Sequence, residues 1–187
     1  MKKVILLGDS IRLCGYGESV AKMLKDCGCT VWQPDENSRF AAYTLRQIFD
    51  HADEIRGSDA VHFNCGAWDI CDLFGDGPFT DITSYTNTML RIVRVLKNLG
   101  VKNIIFATTT PVRAESTHNK NETVRQYSDA VVPLLKAEGC VINDLYSLTS
   151  ADIYRYISED TIHLSPEGTS LCADATYKCI IGVLENG

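Results

Sequence analysis

Long hydrophobic runs, basic clusters and paired metal-ligand spacings are all missing from this chain, and each gap closes off a class of function. No apolar stretch approaches the roughly 20 residues that a bilayer-spanning helix requires. Lys and Arg number 18 against 24 Asp and Glu, giving a net charge of −6, and the basic residues form no run. Gripping a phosphate backbone takes the opposite balance, so neither a nucleic-acid partner nor a membrane partner is expected. Glycines 8, 15 and 17 do not make a Gly-x-Gly-x-x-Gly loop and no Walker sequence occurs, which leaves nucleotide binding unsupported. Eight cysteines are present, but Cys27-Gly28-Cys29 leaves one residue between its thiols and no second pair has zinc-ribbon spacing. Cys140, Cys172 and Cys179 fall in apolar patterns where Cys acts as a small hydrophobe, so reduced, mostly buried thiols are expected. Repeats, low-complexity tracts and linkers are absent as well.

What is present suits a single domain over residues 1–187, with 45% apolar and 22% charged residues and enough chain for a full core. Met-Lys-Lys precedes apolar Val4 to Leu7, but that run is too short for a signal peptide and ends in Gly-Asp-Ser, so a cytoplasmic chain is expected. Strand-like apolar runs at 3–8, 30–33, 59–64, 102–107 and 140–143 alternate with helical patterns at about 17–27, 41–55, 84–99, 121–138 and 166–184. Gly28, Gly100 and Gly139 follow three of these helices as C-caps. Ser165-Pro166-Glu167 reads as an N-cap, a proline at the first helical position and an acid in the first turn. Such alternation with short connections predicts an α/β fold, a parallel sheet covered on both faces.

Two segments at opposite ends of the chain carry the chemistry. Lys3-Val4-Ile5-Leu6-Leu7-Gly8-Asp9-Ser10 is a short buried-strand pattern that ends at a serine, and open α/β sheets bind ligands at that edge. Asp160-Thr161-Ile162-His163-Leu164 sets a carboxylate and an imidazole three residues apart just before the last helix. Serine, histidine and aspartate are the parts needed to activate a hydroxyl nucleophile.

In these two blocks, at this order and spacing, the chain resembles the SGNH (GDSL-type) hydrolases over nearly its whole length. The resemblance implies a three-layer α/β/α, flavodoxin-like sandwich with about five parallel strands, and ester hydrolysis. Carried over residue by residue, Ser10 is the nucleophile, His163 the general base and Asp160 its orienting partner. The second family block supplies a glycine N–H to the oxyanion hole, and Ala42 stands at that position in Pro34-Asp35-Glu36-Asn37-Ser38-Arg39-Phe40-Ala41-Ala42-Tyr43-Thr44. The third block is normally Gly-x-Asn-Asp; here Asn64-Cys65-Gly66-Ala67-Trp68-Asp69 puts Trp68 where the asparagine belongs. The oxyanion donors are therefore expected to be the backbone N–H groups of Ser10 and Ala42 and the side chain of Asn64, with the Trp68 indole as the alternative to Asn64.

Asp9, Arg12, Gly66 and Trp68 are the candidate substrate contacts; Asp9 also suits a turn-holding role and Arg12 a salt bridge. His62, between Val61 and Phe63, reads as structural, and His51 and His118 as exposed. No metal or organic cofactor is required. The expected substrate is a small soluble ester with a short acyl group, acetylated carbohydrate first, with thioester or lysophospholipid as alternatives. A non-catalytic binding module on the same fold is the competing reading, favoured by the missing asparagine. A phosphate-accepting receiver domain needs a second acidic cluster beside Asp9, and the sequence offers none.

Overall fold

Along β1 (Lys3–Gly8) successive side chains leave opposite faces: Val4 and Leu6 join one apolar cluster, Ile5 and Leu7 the other. A strand buried on both faces needs such an unbroken apolar run. The computed structural model describes residues 1–186. In it β1 pairs in parallel with β2 (Thr30–Trp32) and β3 (Ala60–Asn64). The sheet continues through β4 (Asn103–Ala107) and β5 (Val141–Asn143), all strands parallel, in the order β2-β1-β3-β4-β5. This is the three-layer, flavodoxin-like α/β/α architecture expected, and no expected strand end moves by more than one residue.

The helices α1 (Gly17–Asp26) and α8 (Pro166–Asn186) cover the Val4/Leu6 face, together with Ala60, Ile105 and Ala107. The other face, with Val61, Phe63 and Phe106, is covered by α2 (Ala41–Asp50), α4 (Ile82–Asn98) and α5 (Asn121–Ala137). Gly28, Gly100 and Gly139 lie at φ of 83°, 78° and 82°, the left-handed cap positions their spacing indicates. Among the described residues no helix is long and apolar enough to cross a membrane.

Four local features differ from expectation. The helical pattern at 41–55 breaks at His51 (φ −113°, ψ 27°), leaving α3 (Ala52–Ile55) as a separate turn. The helix expected from 84 starts earlier because the Asp81 carboxylate caps it, accepting from the Thr83 and Ser84 N–H groups. Two short helices, α6 (Leu145–Ser150) and α7 (Ile153–Tyr156), fill a stretch with no periodic signal. Cys65, Cys140 and Cys172 are buried while Cys14 and Cys27 are exposed, so the thiols are less buried as a set than their apolar surroundings suggested.

The strand order reverses between β1 and β3, and a ligand crevice opens at such a switch point. Gly8 and Asn64 are register partners at the C-terminal ends of these two strands, which brings the first and third sequence blocks together there.

Candidate active site

Ser10 follows β1 directly and begins a wide, π-type turn over Ile11–Tyr16 that breaks at Gly15 before α1. Its Oγ lies 2.9 Å from His163 Nε2, and His163 Nδ1 lies 2.7 Å from Asp160 Oδ2. The structure thus brings Ser10 together with His163, 153 positions later, and its neighbour Asp160, in a hydrogen-bonded line from carboxylate to imidazole to hydroxyl. Burial tends to raise the Asp160 pKa. Donation from the N–H groups of Ile162 and His163, the Ser158 hydroxyl and the His163 ring outweighs it, holding the carboxyl well below the usual range. Those bonds form because the loop turns through Thr161 at φ +77°, a left-handed backbone that swings the following N–H groups back onto Asp160.

A groove of about 550 Å³ opens over Ser10 and His163. Its walls are largely apolar, from Trp68, Leu73, Phe79 and Ile162, with Asn37 and His118 adding polar groups. Trp68 meets Phe40 edge-on at 5.6 Å and is 39% exposed at the rim, so it lies in the same groove as Ser10 and His163. His118, read from sequence as merely exposed, lines the groove as well; nothing in its neighbourhood of the sequence marks it. His51 instead packs against Trp32 at 4.9 Å, and His62 is buried, its pKa pushed down to about 3 by burial.

Five expected site residues, Asn64, Ala42, Arg12, Asp9 and Gly66, lie outside this groove. Asn64 does not line the groove. Its Nδ2 donates to Asp9 Oδ1 at 2.7 Å, and its Oδ1 accepts from the Tyr16 hydroxyl at 3.0 Å, so the amide is engaged in the core beneath Ser10. Ala42 sits in the first turn of α2, beside a separate depression with Phe40, Tyr43 and Phe79. The residue in this block whose backbone takes the glycine-favouring left-handed region is Arg39, at φ +46°, three positions earlier. Arg12 is buried rather than substrate-facing. Its guanidinium donates to the carbonyls of Pro34, Glu36 and Gly8, which straps the second block to the first.

Asp9 is buried and accepts from the Ile11 N–H and from Asn64, so it holds the turn that carries Ser10 and contacts no groove. Burial pushes its pKa up to about 6 against the pull of those two donors. Gly66 adopts φ +137°, and a Cβ there would overlap the Thr109 hydroxyl, which makes it a backbone necessity rather than a binding group. Asp69 closes the third block and acts structurally. It is buried, its pKa raised to about 6 by burial, and it accepts from the Ala41 N–H that opens α2, tying the third block to the second. The contact spans 28 positions to a helix start that has no capping side chain of its own, so no local pattern marks it.

No protein-family model matches the chain. Among curated proteins it is similar to the GDSL esterase/lipase WDL1 of Oryza sativa subsp. japonica, 27% identical over 159 residues, 77% of this chain and 61% of that protein. It is also similar to the GDSL esterase/lipase CPRD49 of Arabidopsis thaliana, 32% identical over 120 residues, 57% of this chain and 47% of that protein. The chain thus spans about half to three-fifths of the length of these relatives. Among solved structures, the lipase/acylhydrolase from Enterococcus faecalis superposes with a TM-score of 0.80 at 17% identity, covering 97% of this chain and 96% of that one. The acetylxylan esterase Axe2 from Geobacillus stearothermophilus superposes with a TM-score of 0.76 at 18% identity, covering 96% and 94%.

Proposed function

We propose that this chain, which resembles the SGNH (GDSL-type) hydrolases in sequence and in fold, is a carboxylic ester hydrolase that works through Ser10, His163 and Asp160. The observation that carries the reading is the unbroken contact from Asp160 through His163 to Ser10 at the mouth of an apolar groove. A serine hydroxyl is a weak nucleophile until a neighbouring base takes its proton. His163 Nε2 is within reach to do so as Ser10 Oγ attacks the ester carbonyl. The resulting imidazolium then protonates the leaving alkoxide, and water repeats the sequence on the acyl-enzyme. Asp160 fixes the ring tautomer and stabilises the charge that the ring gains.

The substrate reading is a short-chain, acetyl-type ester of a small soluble molecule, with acetylated carbohydrate the leading class. Support comes from the fold neighbour named as an acetylxylan esterase and from the exposed Trp68 face, suited to stacking on a sugar ring. The largely apolar walls from Leu73, Phe79 and Ile162 favour a second reading, an ester with a longer acyl chain. A series of p-nitrophenyl esters of increasing chain length, run beside acetylated xylo-oligosaccharides, separates the two. Ser10→Ala is expected to abolish turnover and fluorophosphonate labelling while leaving thermal stability nearly unchanged. Undiminished turnover in that variant removes Ser10 from the mechanism.

A further inference from the structure

Attack on an ester carbonyl leaves a negative oxygen that needs preorganised donors, and a side-chain amide is an effective one. Three asparagines surround the nucleophile, and their hydrogen bonds sort them. Asn64 is spent on Asp9 and Tyr16 beneath the site. Asn119 lines the groove, but its Nδ2 donates to the Ala67 carbonyl at 2.7 Å. Asn37 also lines the groove, beside Ser10 and His163, and its bonding is the reverse of theirs. Its Oδ1 accepts from the Arg39 backbone N–H at 2.8 Å. A backbone N–H can only donate, so the oxygen of the amide must be the end turned towards Arg39, and the NH₂ end is left with both donors for a ligand.

The position of Asn37 is firm as well as free. The next residue, Ser38, accepts from the Gly8 N–H through its hydroxyl and donates its own N–H to the Gly8 carbonyl, each at 3.0 Å. The preceding residue, Glu36, gives its carbonyl to buried Arg12 at 2.9 Å. Asn37 is therefore pinned on both sides to the segment 8–12 that carries the nucleophile. A donor held this way incurs little reorganisation when charge develops, the condition under which such groups accelerate a reaction.

We infer that Asn37 is a catalytic residue, whose Nδ2 donates to the ester carbonyl oxygen as that oxygen becomes negative during attack by Ser10. The inference rests on the ester-hydrolase reading above and replaces Asn64 in the role its sequence position suggested. No bond to Asn37 forms or breaks; the proton stays on Nδ2 throughout.

Asn37→Asp is the deciding variant. It keeps an oxygen to accept from the Arg39 N–H and so preserves the local fold, but removes both donors. Measured on p-nitrophenyl acetate, kcat is expected to fall about 100- to 1,000-fold, with little change in KM. Asn37→Ala is expected to be no worse than Asn37→Asp, and fluorophosphonate labelling of Ser10 to slow in both. If Asn37 only braces the loop, Asn37→Asp retains activity within about threefold of the unaltered protein, and the inference is overturned. A severe Trp68→Phe beside a silent Asn37→Asp overturns it in favour of the indole. Absence of ester turnover and of Ser10 labelling in the unaltered protein defeats the parent reading, and this one with it.

Discussion

The Arg113 guanidinium donates to the Ile157 carbonyl at 2.6 and 2.8 Å, reaching from the connection after β4 to the loop that carries Asp160 and His163. Its backbone N–H donates to the Thr161 carbonyl at 2.9 Å, so the same residue holds both sides of the turn. Arg113 touches neither Ser10 nor the groove; its effect on chemistry passes through the placement of His163. Arg113→Ala is expected to lower kcat tenfold or more, an order-of-magnitude figure for a slightly misplaced base, with KM little affected. Arg113→Lys, which loses the fork but keeps the charge, is expected to recover only part. Unchanged kcat in Arg113→Ala would show that the loop holds its shape without the brace.

Asp160 meets His163 through both its ring and its backbone N–H. Asp160→Asn keeps an acceptor for the turn but gives the ring a wrong-handed partner. A kcat loss of roughly 10²–10⁴-fold is expected, with KM nearly constant. The carboxyl lies well below its ordinary range in the folded protein, so the contribution of its ionised form persists above the unfolded value. It is lost only as pH falls through the depressed folded value. Titration of Asp160 is therefore not expected to shape a rate profile measured between about pH 5 and 8. An Asp160→Asn variant with full kcat would leave His163 without need of an orienting group.

Asp9 imposes the opposite dependence. Its pKa stands near 6 in the fold against an ordinary 3.8, because burial disfavours the charged form. A carboxyl raised in this way favours folding fully below its unfolded pKa, and that contribution is lost as pH rises to the folded value. The shift of about 2 units corresponds to about 3 kcal/mol at most, lost between about pH 4 and 6. Asp9→Asn retains an acceptor for Ile11 and Asn64 and cannot ionise. The difference in urea unfolding free energy between this variant and the unaltered protein should therefore change in favour of the variant across that window. A difference independent of pH would mean that Asp9 titrates alike in both states.

Much of this arrangement was legible in the sequence because it rests on local patterns. The apolar run 3–8 ends where a buried strand must end, and Ser165-Pro166 opens α8 as its residue types require. The Ser10–His163 pairing is legible because both segments end at one sheet edge. The structure places Asn64 and Ala42 outside the groove for a reason of geometry. Equating positions by motif says which strand end a residue occupies, but not whether its side chain turns to the groove or to the core. Asn64 turns inward because buried Asp9 and the Tyr16 hydroxyl sit there to take both ends of its amide. Ala42 lies inside α2, which begins at Ala41, and the left-handed residue of this block is Arg39. Arg12, Asp69 and Arg113 act across long sequence separations, and no local period records such contacts.

Gly8 and Asn64 supply the last expected outcome, because their side-chain spaces exclude one another. A Cβ at Gly8 would overlap Asn64 Oδ1 and would come within 2.8 Å of Arg12 Cβ. Asn64 cannot move aside without giving up Asp9 and Tyr16, both buried. Gly8→Ala alone should therefore destabilise strongly, through a clash with a fixed polar group. Asn64→Ala alone should cost about 1–3 kcal/mol, since it leaves Asp9 and Tyr16 each short of a partner. In the double variant the main obstacle to the new Cβ is gone, while contact with Arg12 remains. The two changes should therefore be less harmful together than their sum, with a coupling of about 0.5–3 kcal/mol. Urea unfolding of the two single variants and the double variant measures this term directly. Strict additivity would mean that the backbone at Gly8 shifts away from Asn64 at little cost, and that the glycine is not required by the close approach of β1 and β3.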